Sequence, residues 1–424
     1  MRERSYARVM TFTALHRALG LPPGPITNDL LDAAVAAHVE EVDDLDWKST
    51  TLPPVKGLPQ HDFPKDVAAM ANSGGGLIVY GVTETQKAAA GRSDVGDLDE
   101  GHARALRSAA ITAISPPVFG LGIHRLVGSH GDRAVVVEVA ASVDVPHLIY
   151  RGEYFGAPIR NDADTVWMKE RQIEAMYRAR FEERRHAGEE LVALFNEASA
   201  GRDTSKLAWL AAVARPRIPR VHSRLSRDDA RKVFRRAEQV ALSYAADGRP
   251  RPLGSVDIYN PRPGLRRWVA VPNTDKGWRE ARLTVHHDGS VTLAAALGGR
   301  PTEAADVFAG GGEIHSHDIE GAVADFMALI RATAGATGSD EYDTRVGINW
   351  SGSEPLTTII NDPFGFPTAD PSGPLPGYTP VAMTVDATAF DSSFYQQVYN
   401  LALDCVNQAG VAEPMVIGPP ATET

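Results

Sequence analysis

The sequence predicts an α+β protein of more than one domain, on three observations. At 424 residues the chain exceeds the size at which one hydrophobic core keeps growing, so two or three domains are expected. Apolar residues recur at helical spacing in some stretches and form short, branched runs in others, with helices and strands interleaved. Turn signals such as Asp288-Gly289 separate strand-like runs, which marks antiparallel hairpins.

The hydrophobic share of 43% and charged share of 23% are those of an ordinary globular chain. A formal net charge of -11 excludes a globally basic nucleic-acid binder but leaves room for a local basic face. The single cysteine, Cys405, excludes a disulfide framework and a zinc site built on two cysteines. A reduced, cytoplasmic protein is therefore expected. No stretch approaches the roughly 20 consecutive apolar residues of a membrane helix, so no membrane partner is expected.

Residues 1–26 read as an N-terminal helical lead, with a short helix over 5–20 closed by Gly20 and Pro22-Pro23-Gly24-Pro25. Thr27 caps a second helix, because Leu30, Leu31, Val35 and Val39 follow at helical spacing. The run from Glu41 to Lys48 reads as a strand, and a helix from Asp62 or Asp66 ends at Asn72-Ser-Gly-Gly-Gly76. Leu77 to Val82 is a buried strand, followed by a loop over 83–101. A helix near 101–114, strands near 121–127 and 134–140, a hairpin over 150–168 and an Arg-rich helix over 169–185 complete a first domain. Residues 186–250 read as a basic helical connector. From 251 onward, strands and Pro/Gly turns alternate, with helices over 319–333 and 390–408, giving a second α+β domain over 251–424.

Chemistry concentrates at Glu41, Asp46, Lys48 and Glu84. Residues two apart in a strand share a face, so Asp46 and Lys48 project together. Hard divalent cations take carboxylate oxygens, and a nearby lysine can meet the charge that develops on a phosphodiester. Gly74-Gly75-Gly76 precedes a strand rather than following one, so it reads as a helix C-cap and not as a phosphate loop.

Taken in order, Glu41-x4-Asp46-x-Lys48, then Asp66-Val-Ala-Ala-Met-Ala-Asn72-Ser-Gly-Gly-Gly-Leu-Ile-Val-Tyr-Gly-Val82-Thr-Glu84, resembles the Schlafen-type AlbA-like domain. Val145-Pro146-His147, Tyr154, Arg160 and Trp167-Met168 resemble that domain's end, so the likeness spans about residues 27–185. The resemblance implies a nucleic-acid-binding domain. In animal members it is a metal-dependent endoribonuclease acting on tRNA and rRNA; many bacterial members are described only as DNA-binding, regulatory or ATP-binding. Carried over by motif, Glu41, Asp46 and Glu84 would hold Mg2+ or Mn2+. Asp46 is a methylene shorter than the Glu often found there, and Val82-Thr83-Glu84 replaces the family's more acidic triplet. Animal members build a clamp from two related halves, and only one is present here, so a homodimer would restore it.

Lys206 to Arg236 carries ten basic residues against Asp228 and Asp229, a local charge of +8. Arg215, Arg217 and Arg220 lie in a Pro-interrupted stretch, whereas Arg224, Arg227, Arg231 and Arg235 recur at three- and four-residue spacing and form a helical stripe. Together with Arg160 they are the arginines expected to meet a nucleic-acid backbone; a solvated or ion-paired face is the alternative. His315-Ser-His317-Asp318 could share a metal, but Asp318 reads more simply as a helix cap. Trp268, Trp278, Phe308, Phe326 and Trp350 are expected in the second core.

The resulting expectation is an endoribonuclease for structured RNA such as tRNA, with RNA ranked ahead of DNA. A role in defence or translational arrest would suit it. The alternatives are a non-catalytic DNA-binding transcriptional regulator and, more weakly in the absence of a Walker lysine, an ATP-binding protein.

Overall fold

A computed structural model describes residues 12–49, 52–128, 131–151, 154–218, 224–245, 251–273, 280–301, 308–361, 367–369 and 373–420. The chain divides into two units, Met1–Arg184 and Arg185–Thr424.

In the first unit, α1 (Ala14–Ala18) and α2 (Asn28–Ala36) precede β1 (Leu45–Lys48). Thr27 caps α2 as expected, its hydroxyl accepting from the Leu30 N–H at 3.2 Å. α3 (Asp62–Asn72) carries the chain to β2 (Gly76–Tyr80), which runs parallel to β1 with Asp46 opposite Ile78. β3 (Val82–Thr85) and β4 (Ala88–Arg92) form a hairpin where the sequence predicted a loop. Its turn holds Gln86 and Lys87 at φ 53° and 63°, a geometry that usually advertises itself through Asn or Gly. α4 (Glu100–Thr112), β5 (Ile114–Ser115), β6 (Gly122–Val127), β7 (Arg133–Val139), β8 (Leu148–Arg151), β9 (Tyr154–Gly156), β10 (Pro158–Asn161) and β11 (Asp164–Trp167) follow.

The main sheet has the order β1-β2-β7-β6. Leu45, Trp47, Leu77 and Val79 pack toward Leu15 and Leu31 of the first two helices. Ile78, Tyr80 and Val137 pack toward Val67 and Leu106 of α3 and α4. Strand alternation therefore places Asp46 and Lys48 on the α3 side.

α5 (Glu170–Ser199) continues past the expected end near 185 because Leu191 and Phe195 find an apolar surface in the second unit. That surface belongs to β12 (Trp209–Pro216), an interior strand of a seven-stranded antiparallel sheet. α6 (Arg227–Tyr244) follows it. Residues 186–250 are thus not a separate helical connector: both elements lie inside the second unit. β12 carries no strand signal in the sequence because both its faces are covered, so Leu207-Ala-Trp-Leu-Ala-Ala-Val-Ala214 shows no alternation.

The remaining elements are β13 (Arg262–Gly264), β14 (Arg267–Ala270), β15 (Ala281–His286), β16 (Val291–Ala296), β17 (Gly298–Pro301), β18 (Phe308–His315), α7 (Ser316–Thr337), β19 (Glu341–Asn349), β20 (Thr357–Asn361), β21 (Pro367–Ala369), β22 (Val381–Asp386) and α8 (Asp391–Asn407). The sheet order is β13-β14-β15-β16-β12-β19-β22, with a smaller sheet β17-β18-β20-β21 beside it. α6, α7 and α8 bury Phe234, Phe326 and Phe394 on one face of the large sheet, with Trp268 and Trp350 partly buried against that core. Trp278 and the Phe308 side chain lie outside the described residues, as does the chain before residue 12. Asp288-Gly289 makes the expected hairpin turn, with Gly289 at φ +90°. α7 begins at Ser316 with His315 as its cap residue, so Asp318 sits within the first turn rather than capping it.

Candidate functional site

Glu41, Asp46, Lys48 and Glu84 come from three segments. Backbone pairing of the Glu41 N–H with the Lys87 carbonyl, at 2.7 Å, draws the approach to β1 against the β3–β4 turn. Glu84, on β3 just before that turn, is thereby brought to Glu41. The Glu41 side chain folds back to accept from the Trp47 N–H at 2.8 Å, which fixes it over the start of β1. Burial pushes the Glu41 carboxyl up to about 7 against the opposing Trp47 hydrogen bond, and the charges of Asp46 and Glu84 push it further the same way.

Asp46 is 3% exposed and held from two sides. Lys48 Nζ lies 2.9 Å from its Oδ2, and Arg160 Nη1 from β10 lies 3.2 Å from its Oδ1. Lys48 also reaches Asp66 of α3 at 3.5 Å. Burial works against the lysine charge, but Asp66 and Asp46 outweigh it and hold the amine above its ordinary range. Lys48 still keeps 31% of its side chain exposed, so it can meet an incoming anion.

Nothing local in the sequence marks what positions Arg160. The Asn72 amide donates to the His147 carbonyl at 2.9 Å and the Pro158 carbonyl at 2.8 Å, and its oxygen accepts from the His147 N–H at 2.7 Å. Ser73 Oγ accepts from the Arg160 N–H at 2.9 Å. The C-cap of α3 therefore anchors β10, and Lys87 Nζ ties the start of β11 through Asp164 at 2.7 Å. The following glycines permit close backbone approach: a Cβ on Gly76 would sit 2.5 Å from the Asp44 carbonyl oxygen and the Met70 sulfur. That is a packing role, as the C-cap reading expects.

A hard divalent cation fits this donor set in part. Glu41 and Glu84 make no ion pair among the described residues, and two carboxylates with water and substrate oxygens are what Mg2+ commonly takes. Asp46 is committed to two cations. Among the described residues no group of three His, Cys, Asp or Glu is arranged to hold a metal outright.

The basic residues are placed differently from one another. Arg160 is buried on Asp46, Arg215 pairs with Glu190 at 2.5 Å, and Arg217 pairs with Glu341 at 2.7 Å. Arg227, Arg231 and Arg235 share α6, but Arg224 lies before its Ser226 cap and outside the expected stripe, and the three that remain lie along a loop: Arg227 donates to the Pro261 carbonyl at 3.2 Å, and Arg231 to the Tyr259 carbonyl at 2.8 Å. Arg235 stands 5.8 Å from the Tyr259 ring centre. Arg224 is exposed, and Arg220 lies outside the described residues.

The first unit is thus a mixed-sheet domain carrying a carboxylate–lysine–arginine cluster on one strand edge. Residues 41–169 match the family model described as Schlafen, AlbA_2, within the span read from the motifs, so this part of the chain is similar to a Schlafen-type AlbA domain. The family points to nucleic-acid binding for the domain. No curated protein matches the chain. Among solved structures, the DIP2311 protein from Corynebacterium diphtheriae aligns at 15% identity over 50% of this chain, with a TM-score of 0.25. The match spans 33% of that chain. No helix among the described residues is long and apolar enough to cross a membrane.

Proposed function

We propose that this protein binds structured RNA and cleaves its phosphodiester backbone with Mg2+ or Mn2+, as an endoribonuclease. The observation that carries the reading is the gathering of Glu41, fixed by the Trp47 N–H at 2.8 Å, with Glu84, Asp46 and the partly exposed Lys48 at the start of β1, where burial and the neighbouring carboxylates push the Glu41 carboxyl up. Crowded carboxyls with no cation of their own are destabilised unless one takes up a proton or a cation joins them. Glu41 and Glu84 would hold the metal, which would supply Lewis-acid charge at the scissile phosphate. Lys48, partly exposed beside Asp46, would meet the non-bridging oxygens as negative charge grows on them. Asp46 acts through Lys48 and Arg160: it fixes where both cations stand. A cytoplasmic homodimer with two such domains belongs to the same proposal.

A second reading is favoured by one observation. Asp46 is spent on ion pairs, which suits a domain that binds nucleic acid, DNA included, without cutting it. Incubation of the full chain with pooled tRNA and with single- and double-stranded DNA separates the two, using Mn2+, Mg2+ or chelator. Metal-dependent RNA cleavage is the expected result. Salt-sensitive binding with no cleavage under any condition would replace the nuclease with the binder.

A further inference from the structure

On the face of the large sheet opposite α6, α7 and α8, the second unit holds a pocket of about 480 Å3 between the end of α5 and strands β13 to β16. Its position follows from strand alternation: Ala281, Leu283 and Val285 point into the core, so Arg282 and Thr284 point out into the pocket. Thr284 and Thr292 stand opposite each other across β15 and β16, both almost fully buried, with their hydroxyls 2.7 Å apart.

Four arginines line this space: Arg202, Arg262, Arg267 and Arg282. Glu197 from α5 takes Arg267. The other three form no ion pair among the described residues; Glu280 acts on Arg202 and Asp257 on Arg262 only through longer-range attraction. Arg202 is the most constrained. Its guanidinium carbon lies 5.0 Å from the Trp209 ring centre, and its Nε is buried without a hydrogen-bond partner. Burial and the neighbouring Arg282 both hold its pKa below the ordinary arginine value. Like charges gathered in a partly dry recess are costly unless an anion completes them.

The other basic groove of this unit, about 680 Å3 between α6 and α7, is different. There Lys232 is paired with Asp229 and Arg331 with Asp391, and the two remaining cations, Arg224 and Arg236, are exposed to solvent rather than gathered in a recess.

We propose that the α5-side pocket binds a phosphoryl group, with Arg202 and Arg282 gripping its oxygens and Arg262 at the rim. Three uncompensated guanidiniums ask for more than one negative charge, and their forked donors match phosphate oxygens. The volume admits a nucleotide-sized molecule, with Val269 and Ala294 offering an apolar wall. The phosphoryl group can arrive on a free nucleotide or on the 5′ end of a strand. Neither source depends on the nuclease reading of the first unit.

The test is calorimetric titration of the full chain with pyrophosphate, ADP, and a dinucleotide with and without a 5′-phosphate. We expect saturable binding of phosphoryl probes, weakened at least about tenfold by Arg282→Ala, an exposed position, and unchanged by Arg236→Ala in the other groove. Arg202→Lys, which keeps the charge but loses the fork, should also weaken it. Preference for ADP assigns the free nucleotide; preference for the 5′-phosphorylated dinucleotide over its hydroxyl counterpart assigns the strand end. Absence of binding to every probe overturns the proposal, as does equal weakening by Arg282→Ala and Arg236→Ala, which would mean diffuse charge. Glu84→Gln should leave these titrations unchanged, so failure here and failure of the nuclease are separable.

Discussion

Arg160 Nη1 and Asp46 Oδ1 lie 3.2 Å apart across 114 residues of sequence, and each side chain is only 4% exposed. Removing one member of such a pair strands the other charge in the interior. Asp46→Ala is therefore expected to destabilise the first unit by roughly 3–5 kcal/mol, and Arg160→Met by a similar amount. The double variant should cost less than the two added together. Denaturant titrations of the four proteins would measure this, and strict additivity would show that the pair is not coupled. Loss of activity in Asp46→Ala alone thus could not be read as loss of a metal ligand.

Glu84 is the better probe of chemistry. It is exposed and makes no ion pair among the described residues, so Glu84→Gln should leave the unfolding free energy within about 0.5 kcal/mol of the parent. Metal-dependent RNA cleavage should fall by about a hundredfold or more if this carboxylate holds the cation. Mn2+ affinity, read by titration without substrate, should fall with it. Undiminished cleavage by a folded Glu84→Gln protein would remove Glu84 from the site.

Glu41 makes a pH-dependent contribution whose sign is fixed. Its folded pKa, about 7, lies above the ordinary carboxyl value of 4.5, so the folded state holds the proton more tightly than the unfolded chain. The associated stability is present below about 4.5 and is lost as pH rises to about 7. Glu41→Gln keeps an acceptor for the Trp47 N–H but cannot ionise. Relative to the parent it should gain on the order of 1 kcal/mol between pH 4 and pH 8, after discounting for partial exposure. Saturating Mn2+ should narrow that gap by stabilising the parent alone, which thermal melts with and without metal would reveal.

Much of the candidate site was legible because its signals are local. Thr27, the end of α3 at Asn72-Ser73 and the Asp46–Lys48 face all follow from residues a few positions apart. What the sequence concealed is long-range. Nothing near Arg160 says that Ser73 and Asn72 will hold its strand over Asp46, so an arginine assigned to phosphate turned out to be buried. The Gln86–Lys87 turn hid a hairpin because neither residue is a usual carrier of positive φ. β12 read as part of a basic connector because Arg215 and Arg217 follow its apolar core. Their carboxylate partners, Glu190 and Glu341, are supplied by distant segments.

Asp325 allows the same pH argument in the other unit. It is fully buried in α7, accepts from the Leu253 N–H at 2.8 Å, and stands 3.7 Å from Arg251. Burial raises its carboxyl to about 7, because the attraction of Arg251 and the Leu253 hydrogen bond do not offset the loss of water. Its stabilising contribution is therefore complete below its unfolded value of 3.8 and declines as pH rises to about 7. Asp325→Asn retains an oxygen for Leu253 and removes the ionisation. The stability difference between variant and parent should then shift in the variant's favour by on the order of 3 kcal/mol from pH 4 to pH 8. Because Glu41 and Asp325 lie in different units, each substitution should flatten the pH dependence of its own unit's unfolding. Hydrogen exchange resolved by segment would read the two separately: Asp325→Asn should alter protection in α6 and α7, and a change confined to β1–β4 would contradict the assignment.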